Sequence, residues 1–257
     1  MSAADRATAY LGLAGIRYAA GDIPGTRAAA TAVVELAPVA ETDELVADAL
    51  MLQGGAAVFD GDLEAAAAPL TEAAERAAVT GDDFVLAQTR FAQGQLQFRA
   101  GNLEASVEIL AQAEAIARSA GLPFSLAVVL NMQAVVAEVT GADDLALDQL
   151  SEAGALAAEV RTTWPLVYTL PALAVLAARR GLFEVAAVLF AAGIATAEAS
   201  AVAVSFPPSR EGAEHWLATV RQKLDQKTWD DAEETGRALP LEALAELTEQ
   251  IREHGPS

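Results

Sequence analysis

Cysteine is absent from the 257 residues, and lysine occurs only at Lys223 and Lys227. Without cysteine there are no disulfides, thiolate metal ligands or cysteine nucleophiles. Without lysine before position 223, the chain lacks the phosphate-binding loop G-x-x-x-x-G-K-S/T. The 36 acidic residues outnumber the 16 basic ones and give a net charge of -20, which repels a phosphate backbone. These absences predict no direct nucleic-acid contact by this chain and no bound cofactor.

Aromatic residues make up only 5% of the chain, whereas 53% is hydrophobic and much of that is alanine. Alanine is the best helix former, and strands favour aromatic and β-branched residues, so the composition predicts an all-α fold. Asp5 and Arg6 stand where a secretory signal needs an uninterrupted apolar stretch. The longest apolar run, residues 185–197, is shorter than the roughly 20 residues that span a bilayer. We therefore expect a cytoplasmic protein without membrane contact.

Glycine recurs at a fixed interval of 40 residues. The positions are Gly21, Gly61, Gly101, Gly141 and Gly181. Small residues stand seven positions before and five positions after every one of these glycines, which lets two helices approach closely. Each 40-residue repeat is therefore predicted to contain a helix A, a tight glycine turn and a helix B. The spacing predicts five helical hairpins.

The hairpins resemble tetratricopeptide repeats. The best matches are Gln53-Gly54 with Gly61, Asp62, Ala66 and Ala73, and Leu173-Ala174 with Gly181 and Ala186. The resemblance implies a right-handed α-solenoid of about five hairpins over residues 1–200. The chain departs from that family because its period is 40 and not 34 residues. Glutamine also replaces the usual leucine of helix A at three positions: Gln53, Gln93 and Gln133.

After residue 199 the register fails, because no glycine turn occurs near position 221 and Pro207-Pro208 interrupts the helical pattern. Ser209 can cap a helix that runs to about Leu224. Thr228 with Asp231 resembles a capping box, and Pro240 suits the first turn of a last helix. We therefore predict that residues 201–257 form a C-terminal helical cap on the solenoid.

The last hairpin and the tail resemble the C-terminal ends of actinobacterial transcription regulators of the AfsR and large LuxR-type classes, which carry a signal-transducing ATPase module. The resemblance lies in Gly181, Ala186-Ala187, Leu189-Phe190-Ala191-Ala192, Pro207-Pro208, Trp229, Gly236-Arg237-Ala238-Leu239 and Leu241-Glu242. It implies a regulatory segment that senses an effector or binds a partner protein. The ATPase and helix-turn-helix parts of such a regulator are missing from this chain.

Tetratricopeptide arrays bind ligands along the side lined by helix A. Transferring that side to this chain predicts a groove for a peptide, protein or small effector, lined by Tyr18, Met51, Phe59, Phe91, Gln95, Phe98, Arg99, Asn131, Glu138 and Arg179. An aromatic stripe at helical spacing is also typical of a core. Phe98 beside Arg99 suits an anchor with a carboxylate clamp. The sequence leaves the core and groove interpretations open.

The three glutamines of helix A admit two interpretations. They satisfy neighbouring backbone carbonyls, or they form a polar pocket for a small molecule. His215 and His254 have no partner at metal-ligand spacing, which predicts no metal site. Four acidic pairs are assigned to turns and helix starts, where carboxylates cap helices. They are Asp82-Asp83, Asp143-Asp144, Asp230-Asp231 and Glu233-Glu234.

No serine, histidine and aspartate context suggests a nucleophile, so we expect a non-enzymatic binding module. The alternatives to a regulator segment are a stand-alone scaffold that recruits a protein partner and the repeat tail of a signalling kinase. No repeat precedes the first helix to cover Tyr10, Leu11, Leu13 and Ile16. This uncapped face predicts truncation of a longer protein or homodimer formation.

Overall fold

The computed structural model describes residues 1–200 and 207–255 and is all-α, as predicted. In these ranges the chain forms 13 α-helices, two short 3-10 helices and no strand. The α-helices are α1 Ala3–Ala19, α2 Ile23–Ala40, α3 Val46–Asp60, α4 Leu63–Thr80, α5 Asp83–Arg99, α6 Leu103–Ser119, α7 Pro123–Val139, α8 Asp143–Glu159, α9 Leu166–Arg179, α10 Phe183–Ser200, α11 Pro207–Lys223, α12 Gln226–Arg237 and α13 Leu244–Glu253. The 3-10 helices are Asp43–Leu45 and Leu241–Ala243.

The five glycines of the 40-residue ladder each lie between two helices with φ between 73° and 82°. This left-handed conformation is open to glycine because it has no Cβ. At Gly61 the backbone N–H donates to the Val58 carbonyl, and the next N–H donates to the Ala57 carbonyl. Asp62 then caps α4 by accepting a hydrogen bond from the Ala65 N–H at 3.2 Å. The turn therefore ends one helix and starts the next within two residues.

The small residues that flank each glycine lie where the two helices of a hairpin meet, and all of them are buried. In α3 and α4 the close approach is visible at Gly54, where an added Cβ would lie 2.5 Å from Cγ of Leu70. At Gly94 it would lie 2.6 Å from Cδ2 of Leu110. Both leucines are fully buried, so each glycine makes room for one large side chain of the facing helix.

The chain divides into two compact units, Met1–Ser125 and Leu126–Ser257. In the first unit α1 to α6 pack on their neighbours along the chain. In the second unit α9 packs on α10, and the tail helices α11 to α13 pack on α8, α9 and α10. This arrangement within each unit is consistent with an α-solenoid. The predicted boundary at residue 200 stays a prediction.

The tail forms three helices that cover the hairpin α9–α10 and part of α8. Gly236 of α12 lies so close to α10 that an added Cβ would clash with the Val188 carbonyl. Leu244 of α13 fills the space over Gly154 of α8. The tail therefore belongs to the core of the second unit, where its apolar residues join those of α8 to α10.

Three predicted helix starts in the tail were wrong in detail. Helix α11 begins at Pro207, two residues before Ser209, whose side chain lies outside the described residues together with Ser205. Asp225, and not Thr228, caps α12, because its carboxylate accepts from the Thr228 N–H at 2.8 Å. Pro240 precedes a 3-10 turn, and α13 starts four residues later.

The acidic pairs divide into two groups. Asp82-Asp83 and Asp143-Asp144 lie at the starts of α5 and α8, as predicted. The pairs 230–231 and 233–234 lie inside α12, which corrects their assignment to turns or helix starts. In α12 the Glu233 carboxylate accepts from the Trp229 indole N–H at 3.2 Å. Glu233 therefore holds the Trp229 ring within α12.

Two of the four apolar residues predicted to form an uncovered face of α1 are half-buried. Leu11 and Leu13 are half-buried against the first core cluster, whereas Tyr10 and Ile16 are exposed. Homodimer formation through this face stays a prediction.

Candidate functional site

The A helices of the first unit bring Tyr18 and Phe59 together on one side of α3. The ring of Tyr18, on α1, packs edge-to-face against Phe59 with centroids 5.4 Å apart. It also covers Gly55, where an added Cβ would lie 3.1 Å from the Tyr18 hydroxyl oxygen. Met51 follows on the same side, one helical turn before Gly55, and is half-buried. Three of the predicted groove residues therefore share one apolar surface, which we call the A-helix face.

Arg99 joins this surface through the end of α3. Its Nη1 donates to the Val58 carbonyl at 2.6 Å and to the Phe59 carbonyl at 3.2 Å. The last carbonyls of a helix have no partner within the helix, and a cation is favourable beside them. Arg99 therefore caps α3 from the next A helix, and this contact competes with a role as a carboxylate clamp.

The other predicted residues of α5 are more deeply placed than a groove lining requires. Phe91 and Gln95 are buried, and Phe98 is half-buried. The Gln95 Oε1 atom is buried without a hydrogen-bond partner among the described residues. For Phe91 the geometry fits the core interpretation better than the groove interpretation.

Asn131 lies in a buried polar network of the second unit. Its Nδ2 donates to the carbonyls of Ala127 and Pro165, and its Oδ1 accepts from the Thr169 hydroxyl at 2.9 Å. The Thr169 hydroxyl also lies within hydrogen-bonding distance of the Pro165 carbonyl, at 3.1 Å. Because its amide is already hydrogen-bonded and buried, Asn131 holds α7 to the start of α9. Nothing in this geometry leaves the amide available to a ligand.

Glu138 and Arg179 lie near each other at the ends of α7 and α9. Arg179 forms an ion pair with Asp143 at the start of α8, with Nη1 and Oδ1 2.8 Å apart. Burial raises the pKa of the Glu138 carboxyl to about 7; Arg179 opposes this shift and Asp143 adds to it. A carboxyl of this kind exchanges its proton near neutral pH. With Asp143, the two residues form a group of ionisable side chains in the second unit.

The three glutamines bond to B helices and not to one another. The Gln53 amide donates to Thr31, and the Gln93 amide donates to the Leu70 carbonyl at 3.1 Å. Gln133 accepts from Gln149 at 3.4 Å. Each amide thus links a helix A to a helix B, which favours the structural interpretation over a polar pocket.

Sequence reasoning missed Arg180, which is the neighbour of the predicted Arg179. Its side chain is 2% exposed and bonds to Asp144 at 2.6 Å and to the Ile251 carbonyl at 2.7 Å. Burial of an arginine requires partners of this kind. Its position before Gly181 equals that of Ala100 before Gly101, so the repeat register contained no signal for a buried cation.

A second left-handed position also recurs at 40-residue spacing. It follows each of the first four B helices, at Glu41, Gly81, Gly121 and Arg161, with φ of 54°, 74°, 64° and 51°. Two of the four are glycines, so the sequence shows only half of this pattern. Glu41 and Arg161 adopt a conformation that their side chains disfavour.

Both histidines lie in the tail of the second unit. His254 contacts the Gln250 carbonyl through Nδ1, and His215 packs against Trp216. In the ranges 1–200 and 207–255, no group of three or more His, Cys, Asp or Glu side chains is arranged to hold a metal ion.

Among the described helices, α10 alone is long and apolar enough to cross a membrane. Its apolar residues Leu189 and Phe190 are buried in the core of the second unit, where α9 and α12 pack on it. This packing is typical of a core helix.

Comparison with known proteins adds no relative. No family model matches the chain, and neither a curated protein nor a solved structure matches it.

Proposed function

We propose that this chain is a non-enzymatic binding module built as a right-handed, tetratricopeptide-like solenoid of five hairpins with a 40-residue period. The observation that supports a binding role is the A-helix face of the first unit. There Tyr18, Met51 and Phe59 form a half-buried apolar strip. A strip of this kind suits an extended or helical peptide, a protein surface or a small effector.

The family resemblance of residues 181–242 supports a regulatory role in a bacterial, cytoplasmic transcription regulator. In such a protein, the module senses its ligand and passes the signal to an attached switch. Ligand binding shifts a two-state equilibrium only by its difference in affinity for the two states. The A-helix face and the attached switch are therefore coupled through the solenoid in this proposal.

A photoreactive benzoylphenylalanine at position 18 tests the binding role, because it replaces one aromatic ring with another on the A-helix face. We expect a discrete cross-linked product in cells from Tyr18, and none from Val107, which is exposed on α6. Equal labelling from both positions would contradict a specific site.

The regulatory role is tested separately in the same cells. Replacing Met51 with lysine places a charge on the A-helix face, and we expect the cross-linked product to disappear and a limited set of transcripts to change. Loss of the product with unchanged transcripts would favour the stand-alone scaffold. The melting temperature of the variant, measured in parallel, checks that it still folds.

A further inference from the structure

The connector between α2 and α3 contains two features that disfavour the conformation it adopts. Glu41 has φ of 54°, although glycine stands at the corresponding position 40 residues later. Thr42 is 6% exposed, and its hydroxyl oxygen has no hydrogen-bond partner among the described residues. Strained or unsatisfied groups of this kind persist where the surrounding structure or a ligand requires them.

The carboxylates around this connector lack cations. Glu41, Asp43, Glu44, Asp82 and Asp83 are exposed, and none of them forms an ion pair with another described residue. Asp48 is half-buried beside them, and its burial together with the nearby Asp82 raises the pKa of its carboxyl. No described residue therefore compensates the negative charge at this end of the first unit.

The opposite ends of the same helices differ. At the glycine turns, Arg17 pairs with Asp22, and Arg27 lies 3.7 Å from Asp60 and 3.5 Å from Asp62. Residues 1–125 contain 17 acidic side chains, seven arginines and no lysine. Six of the seven arginines bond inside the unit: Arg17, Arg27, Arg76, Arg90, Arg99 and Arg118. The carboxylates at the connectors thus have no arginine partner among the described residues of this unit, and a cationic group from another molecule can pair with them.

Exposed apolar side chains accompany these carboxylates. Val39 at the end of α2 is 78% exposed, Val79 at the end of α4 is 88% exposed, and Phe84 at the start of α5 is 43% exposed. The buried cluster of Ala47, Ala77 and Val85 joins α3, α4 and α5 below the two connectors. Apolar and acidic groups therefore occur on one surface.

We propose that this surface is a docking site for a cationic, amphipathic segment of a partner protein. We call it the connector surface and define it by Val39, Glu41, Asp43, Glu44, Val79, Asp82, Asp83 and Phe84. Lysine or arginine side chains of the segment would pair with the carboxylates, and its apolar side chains would cover Val79 and Phe84. Nucleic acid and anionic membranes carry the wrong charge for this site.

A metal ion is the other cation that carboxylates attract, but no three of them are arranged to hold one in the part of the chain that the structure describes. The exposed apolar side chains beside the carboxylates would also take no part in binding a metal ion. The connector surface rests on the proposed binding role, but it does not require that the A-helix face be the groove.

The test selects peptides from a phage-displayed random library on the full 257-residue chain. Peptides that also bind the Val79→Ser/Phe84→Ser double variant are removed. Both side chains are exposed, so the double variant keeps its fold, which circular dichroism checks. We expect the remaining peptides to combine lysine or arginine with apolar residues. A Val107→Ser variant, which changes an exposed valine of α6, serves as the apolar control and should bind like the wild type.

Synthetic versions of these peptides then measure the contribution of charge. Asp43→Asn/Glu44→Gln is expected to weaken their binding about five- to tenfold, as loss of two exposed ion pairs would. Glu104→Gln/Glu108→Gln removes the same charge from an exposed part of α6, and we expect less than about a twofold change.

Four results would overturn the proposal. Selected peptides that need Val79 and Phe84 but are neutral or acidic would contradict a cationic partner. If all the binding peptides also bind the double variant and lose binding only in a Phe59→Ser variant, the binding role would stay intact and the connector surface would be removed. The absence of any specific peptide would remove both. A dimer seen by light scattering that dissociates in Val79→Ser/Phe84→Ser would identify a second copy as the occupant.

Discussion

The guanidinium of Arg180, at the end of α9, donates a 2.7 Å hydrogen bond to the carbonyl of Ile251 in the last helix, 71 residues later. The same guanidinium pairs with Asp144 of α8. Arg252 adds an exposed ion pair to Asp148, also in α8. Arg180 therefore connects three helices of the second unit at one buried point.

Replacing Arg180 with methionine is expected to destabilise the second unit by about 1–3 kcal/mol, because it removes a buried charge-assisted hydrogen bond to the tail. Asp144 is largely exposed and can be hydrated after the change, which limits the loss. Urea unfolding measures the free energy, and limited proteolysis reports release of α13. Arg179→Met is the matched control, since that side chain is partly exposed. An equal loss in both variants would contradict a special role for Arg180.

Glu138→Gln should change how stability depends on pH. The pKa of Glu138 is raised to about 7, so the stability that its neutral form provides is complete below the ordinary pKa of 4.5 and is lost as the pH rises through 7. The loss at pH 8 amounts to at most about 3 kcal/mol. We expect the variant to melt higher than the wild type at pH 8 and equally at pH 4.5.

The melting temperature between pH 4.5 and pH 8 checks this expectation. Glu184→Gln, on the exposed start of α10, should leave the pH dependence as it is in the wild type. A wild-type slope retained in Glu138→Gln would show that another group causes it.

Gly54→Ala is expected to cost about 1–3 kcal/mol, because the new methyl group would overlap Leu70 in a close-packed seam. Gly94→Ala should behave alike against Leu110. Gly12→Ala on α1 has open space around the new methyl group, and we expect it to stabilise by about 0.5–1 kcal/mol through helix propensity. Chemical denaturation of the three variants compares these signs, and a stabilised Gly54→Ala would disprove the packing argument.

Arg161→Gly is expected to stabilise the chain by about 1 kcal/mol, because glycine adopts the left-handed conformation without steric cost. Glu41→Gly should do the same at the corresponding position of the first unit. Gly81→Ala tests the opposite direction and should destabilise by a similar amount. Thermal unfolding provides the measurement, and a destabilised Arg161→Gly would mean that the arginine side chain makes a larger contribution than the strain.

The hairpins could be predicted because their signals are local. A left-handed residue between two helices nearly requires glycine, and small side chains must stand where two helices nearly touch, so both leave a trace in the residue types. The candidate site was harder to predict from the sequence. Helical spacing placed Tyr18, Met51 and Phe59 on one side of the A helices, but Asn131 and Phe91 have the same spacing and are buried. Register identifies a face of a helix, and only the neighbouring helices decide how much of that face stays open.

The sequence by itself determined the helical class, the five glycine turns and the small residues of the seams, because each follows from backbone conformation and side-chain volume within one hairpin. The tertiary structure alone decided the use of the charged and polar groups. It placed Arg99 on the end of α3, buried Arg180 against the tail and left Asp43 and Glu44 without a cation among the described residues. Ion pairs and hydrogen bonds depend on atoms brought together from distant parts of the chain, and no local pattern encodes those distances.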